Sequence, residues 1–372
     1  MTQTATQLVE SSPSFNPLAE LRHQRDAIRQ RVSASVFDGV VGMISKLSYK
    51  HPGANPSLYG VRVQRDLRYG RPDVPEHVLD VYMPAVKPGQ RMPIVLYVHG
   101  GGFRLLSKAS HWMMAVAFAR RGYLVFNIDY RLAPRHAFPA ALEDVNRAWL
   151  WILDNAHRFG GDTSRIVVAG ESAGANLVSS LAIETSYKRS EPFAQELFDR
   201  GVQPQAVMAA CGIFQVSDVE RLYRDNPLPG IITDWLADMR DTYLGGSFTR
   251  TPPRLRLADP LLVLEEGIQP DRPLPPFFLP VGGSDILVDD TMRMARSLRR
   301  LGAVAEHRVY PGELHAFHMM PWRAATRRLW ADTFTFLRDH LPSRSGSRPA
   351  VEPLPVSGGS WLRDRIVSAM AA

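Results

Sequence analysis

The chain has 372 residues, 45% of them hydrophobic and 22% charged, with a formal charge of +7. This is ordinary globular composition, and a chain of this length buries roughly three quarters of its unfolded surface without covalent staples. One cysteine, Cys211, rules out an intrachain disulfide, and no stretch approaches the ~18 apolar residues of a membrane span.

The first twenty residues lack the basic start and apolar block of a secretory signal, so a reducing, cytoplasmic setting is expected. The positive charge is mostly arginine scattered along the chain, which reads as solvated helix faces and not as a nucleic-acid patch. Weak attraction to anionic membrane surfaces stays compatible with it.

Residues 18–50 carry Leu18, Leu21, Ile28, Val32, Val36, Val40 and Ile44 at near-helical spacing, predicting one or two helices. After the break "HPGANP" come two strand-like pieces, "VRVQRDL" and "VLDVYM". From Pro93 the pattern alternates. Strand "PIVLYV" precedes helix "HWMMAVAFARRG", strand "YLVFNID" precedes helix "PAALEDVNRAWLWILDNAHRFG", and strand "RIVVAG" precedes a helix opening at Ala173.

Strand "AVMAACGIF" then leads into 214–275, a region rich in Pro, Gly and aromatics with a helix near "TDWLADMRDTYLG". Strand "FFLPVGG", helix "DTMRMARSLRRLG", strand "AEHRVYP" and helix "RAATRRLWADTFTFLRDH" follow. Strands alternating with helices predict an α/β fold, a mostly parallel sheet covered on both faces.

Region 214–275 is too long for a plain connection and is expected to join the N-terminal helices as a cap over the sheet. The expected division is therefore 1–55 as N-terminal cap helices, 56–213 with 276–341 as core, and 214–275 as cap insertion. Residues 342–372 read as a flexible linker ending in a short amphipathic helix, "WLRDRIVSAM".

The stretch "RIVVAGESAG" places Ser172 between glycines where a buried strand gives way to a helix. Such a turn is either ordinary tight structure or a device that holds the serine out as a nucleophile. A serine hydroxyl needs a base, and the base an orienting acid. Among eleven histidines, His315 in "YPGELHAF" lies where a loop returns above the serine, with His318 its rival. Asp285 follows a strand end, whereas Asp289 and Asp290 open a helix and read as cap and dipole partners. The stretch "VHGGGF", residues 98–103, bares backbone amides. Gly101 and Gly102, with the amide of Ala173, form a natural donor set for an oxyanion. It lacks the spacing of a nucleotide-binding loop.

With these residues in hand, the chain resembles the hormone-sensitive-lipase-like group of α/β-hydrolases, the bacterial family IV esterases. The likeness spans roughly residues 78–340 and rests on "HGGGF", "DYRLAPRHAFPAALEDV", "GESAG", "DILVD" and "HAF" in the family's order. It implies the α/β-hydrolase fold, with nucleophile, acid and base on Ser172, Asp285 and His315. Oxyanion donors fall on Gly101, Gly102 and Ala173. His99 resembles a loop-stabilising histidine, and Tyr130, Arg131 and Asp144 resemble structural supports. Glu171 and Arg135 depart from the commoner Asp and Glu, and Glu171 reads as packing.

The implied activity is hydrolysis of short- to medium-chain carboxylic esters, with a small-molecule ester as partner and no cofactor or metal. Amidase or deacetylase action, and ligand binding without catalysis, are the alternatives. Phe103, Trp112, Trp235, Phe248 and Phe317 are the candidate acyl-pocket residues. The resemblance also makes a homodimer through the last strand, near 304–310, an expectation.

Overall fold

The computed structural model describes residues 17–50, 52–87, 89–246 and 253–341. Phe248 and the tail 342–372, with its expected amphipathic helix, lie outside these residues.

Eight strands form one sheet: β1 (Val61–Arg68), β2 (Val78–Pro84), β3 (Met92–Val98), β4 (Leu124–Ile128), β5 (Gly161–Glu171), β6 (Ala206–Ala210), β7 (Phe277–Gly282) and β8 (Ala305–Tyr310). Their order is β1-β2-β4-β3-β5-β6-β7-β8. The two pairings of β2 are antiparallel and all others are parallel.

The central strands are apolar runs because both faces are covered. Alternation still sorts them: Ile94, Leu96 and Val98 of β3 face one core, Val95 and Tyr97 the other. Helices α2 (Trp112–Ala119) and α9 (Ala324–His340) cover the second core. Helices α3 (Ala140–Asn155), α4 (Ala173–Ser186), α5 (Pro192–Arg200), α7 (Pro260–Glu265) and α8 (Val288–Arg300) contribute to the first. Each fully buried Leu, Ile or Phe in these layers contributes about 1.5–3 kcal/mol.

Two further helices border the cavity described below: α1 (Pro17–Lys50), and α6 (Gly230–Leu244), whose Leu236, Met239, Tyr243 and Leu244 also join the first core. They are tied by polar contacts, for Asp234 of α6 accepts from Arg29 at 3.1 Å and Ser33 at 3.2 Å. Residues 17–50 form one continuous helix, and its orientation differs from what its periodicity implies. Ile28, Val32, Val36 and Val40 are exposed, while Phe37, Asp38 and Val41 turn towards α6 and the space beneath it. Hydrophobic spacing identifies a face without saying which way it points. Strand β6 also stops before the expected 214, because Cys211 enters the left-handed region at φ 39° and turns the chain. Among the described residues no helix is long and apolar enough to cross a membrane.

Candidate active site

Parallel strands deliver their following loops to one edge of the sheet, where ligand sites of open α/β sheets form. The nucleophile candidate is built by close approach. At Gly174 a Cβ would lie 2.1 Å from the Val98 carbonyl oxygen of β3, so α4 can start hard against the sheet only with glycine there. That forces a sharp turn between β5 and α4, and Ser172 takes the strain at φ 54°, ψ −117°. Its amide donates to the Ala210 carbonyl at 2.9 Å, which fixes the turn to β6.

Asp285 lies buried just after β7, one oxygen accepting the Leu287 amide at 2.9 Å. The other faces His315 Nδ1 at 2.9 Å, from the loop between β8 and α9. The structure brings His315, and not its rival, to this acid. His318 is buried, off the cavity wall, and pushed down to about 4, chiefly by burial. For His315 the neighbouring Cys211 sulfur and Asp285 carboxylate hold the imidazole well above its ordinary value.

Ser172, His315 and the glycines 100–102 share one cavity of about 700 Å³, within the size of small-molecule sites. Its lining is mostly apolar, with Phe37 and Val41 from α1, Trp235 and Met239 from α6, and Trp112 and Trp322 at the sides. Gly102 stands at φ 59°, and a Cβ there would meet the Trp235 ring at 2.5 Å. The glycine loop is therefore pressed against α6, and Arg104 secures it by pairing with Asp38 at 3.0 Å and with Asp238. Trp235 in turn donates its indole N–H to Asp38 at 2.9 Å.

Of the predicted acyl-pocket residues, Trp112 and Trp235 line the cavity. Phe103 does not: it is fully buried and stacked on Tyr243, with ring centroids 3.7 Å apart. Phe317 likewise packs into the core beside Tyr310. Both sit next to loop residues that do reach the cavity, but their side chains are needed beneath the loops. Phe248 lies outside the described residues.

Glu171 corrects the reading of that position as packing. Its buried carboxylate accepts the Gly100 amide at 2.5 Å, lies 2.7 Å from His111 Nε2, and receives the Tyr97 hydroxyl. Burial alone would raise its pKa, but His111 and the Tyr97 hydroxyl hold it at about 2. His111 is raised in return by the carboxylate, against its own burial. The nucleophile turn is thus joined to the glycine loop by a hydrogen bond onto a carboxylate, and to the approach to α2 by the His111 pair. His99 above it is stacked on Tyr130 and kept neutral, its pKa pushed to about 3 by burial and by His111.

Tyr130 donates to the His99 carbonyl at 2.8 Å, and Arg131 forks onto Asp144, which also meets His77 at 2.7 Å. Arg135 is exposed. Asp290 lies in the first turn of α8 but does not cap it, for the helix has no side-chain cap: its buried carboxylate accepts the Phe214 and Gln215 amides at 2.9 and 3.2 Å, securing the chain as it leaves β6. No sequence pattern points to Tyr97 or His111, whose roles exist only once separate elements meet.

Comparison with known proteins gives a consistent result. A family profile described as the alpha/beta hydrolase fold matches residues 95–319. Esterase LipI of Mycobacterium tuberculosis is 30% identical, over 80% of this chain and 86% of its own length. The isoprenylcysteine alpha-carbonyl methylesterase ICME of Arabidopsis thaliana is 27% identical over 74% of this chain, which spans 62% of that longer protein. A crystal structure of an esterase from the bacterial hormone-sensitive lipase family superposes with a TM-score of 0.59 at 26% identity, covering 76% of this chain and 86% of its own.

Proposed function

Because the chain belongs to the α/β-hydrolase family, in its hormone-sensitive-lipase-like group of esterases, we propose that it is a serine carboxylesterase working through an acyl-enzyme on Ser172. The observation that carries this reading is the meeting of Ser172, the His315–Asp285 pair and a glycine loop on one apolar cavity.

The Ser172 hydroxyl attacks the ester carbonyl as His315 accepts its proton at Nε2. Asp285 holds Nδ1–H and stabilises the imidazolium that forms. The amides of Gly101, Gly102 and Ala173 receive the oxyanion, and each such donor is worth about 10²–10³ in rate. Glu171 supports them indirectly, because its bond to the Gly100 amide sets where the loop stands. His315 then protonates the leaving alcohol, and afterwards activates the water that releases the acid.

The cavity's apolar walls suit an acyl chain, and Trp235, held between Gly102, Phe37 and Asp38, forms one of those walls. The substrates in this reading are short- to medium-chain esters of small molecules. A panel of p-nitrophenyl esters graded from acetyl to palmitoyl tests this. The expected kcat/KM peaks among the shorter members and falls steeply towards palmitoyl. A maximum at palmitoyl, or no turnover of any member, would overturn the assignment.

A further inference from the structure

Cys211 is the first residue after β6, in a place its small apolar character alone does not explain. Its amide donates to the Pro280 carbonyl of β7 at 2.8 Å, and the carbonyl just before it, that of Ala210, holds the Ser172 amide. The thiol is thereby fixed between the nucleophile turn and the strand that leads to Asp285. Cys211 Sγ, a carboxylate oxygen of Asp285 and a ring nitrogen of His315 all lie within 4.8 Å of one another.

One sulfur, one nitrogen and one oxygen at such spacing form a donor set for a borderline-soft divalent cation. The Nδ1–Oδ2 separation of 2.9 Å is already near the edge of about 3.3 Å that a tetrahedron has at ordinary zinc–ligand lengths. Asp285 and Cys211 are buried, while the His315 side chain is 40% exposed and borders the cavity, which gives an ion its way in.

We propose that Cys211, Asp285 and His315 form an inhibitory site for a zinc-type divalent cation that enters through the substrate cavity. The inhibition, though not the binding, rests on His315 being the catalytic base. On binding, the Cys211 thiol and, where His315 is protonated, the imidazolium release their protons to solvent, and the thiolate, the ionised carboxylate and a neutral imidazole nitrogen become ligands. Taking Nδ1 replaces the bond to Asp285 and leaves the ring's proton on Nε2. Taking Nε2 occupies the lone pair that must receive the serine proton. Either way the base is lost. Hard cations such as Mg²⁺ prefer oxygen ligands and are not expected to inhibit.

The test uses Co²⁺ as a spectroscopic substitute for Zn²⁺, titrated into the full-length wild-type chain and its Ser172→Ala variant. Both should bind one ion with a sulfur-to-cobalt charge-transfer band that Zn²⁺ abolishes and that Cys211→Ala and Cys211→Ser lack. Circular dichroism checks the folding of each variant. In ester assays, Zn²⁺ should inhibit the wild type, and either cysteine variant should raise the half-inhibitory concentration at least about tenfold, since even outer-sphere changes cost that much in metal affinity. No charge-transfer band in the wild type, or equal zinc sensitivity with and without the thiol, overturns the site. The cobalt titration needs no turnover, so failure of the metal site and failure of the esterase assignment are distinguishable.

Discussion

Replacing Ser172 by alanine is expected to lower kcat by about 10⁶-fold while leaving the fold in place. The change removes one oxygen and keeps the Cβ, so the strained backbone at φ 54° is asked to hold a side chain of the same steric class. The features that build the turn lie elsewhere: Gly174 against β3, and the Ser172 amide, which alanine retains, bonded to Ala210. Thermal unfolding should therefore move little, and the loss should appear in turnover. Stopped-time ester assays beside a calorimetric melt check both halves. Residual turnover near the wild-type level would remove Ser172 from the mechanism.

Asp285→Asn should cost about 10⁴-fold in kcat, for a reason visible in the hydrogen bonds. In the wild type one carboxylate oxygen accepts the Leu287 amide and the other accepts from His315 Nδ1. Asparagine must keep its oxygen towards Leu287, so its NH₂ turns to the imidazole. Nδ1 then has to accept, the ring's proton moves to Nε2, and the base cannot take the serine proton. The pH profile gives a second reading. The wild-type imidazole is held well above its ordinary value by the Cys211 sulfur and Asp285. A raised pKa keeps the base protonated to higher pH, so wild-type activity should fall with decreasing pH through a midpoint above 6.5, the unperturbed histidine value. The residual activity of Asp285→Asn should have its midpoint shifted down. An unchanged midpoint, or a loss under tenfold, would mean that Asp285 is not the partner that tunes His315.

Much of this arrangement is legible in the linear chain. The alternation of apolar runs with longer amphipathic segments dictates a parallel sheet, and the glycine–serine turn announces itself because close packing tolerates only glycine beside it. His315 and Asp285 are readable as residues placed at strand ends. What stays hidden depends on meetings between distant elements. Glu171 looks like packing in a linear reading because its partners, Tyr97 and His111, come from β3 and the approach to α2. Phe103 and Phe317 adjoin site loops in sequence, yet one supports Tyr243 and the other Tyr310. The exposed row Ile28, Val32, Val36 and Val40 on α1 shows the same limit, since periodicity fixes a face and only the neighbours fix its direction.

The most direct measurement of the central claim is intact-protein mass spectrometry after treatment with a fluorophosphonate, followed by mapping of the labelled peptide. The acyl-enzyme account predicts one adduct per chain, on Ser172, with ester hydrolysis lost in proportion to labelling and no adduct on Ser172→Ala. Full hydrolysis by a protein that carries no adduct, or an adduct on another residue that tracks the loss of activity, would contradict it.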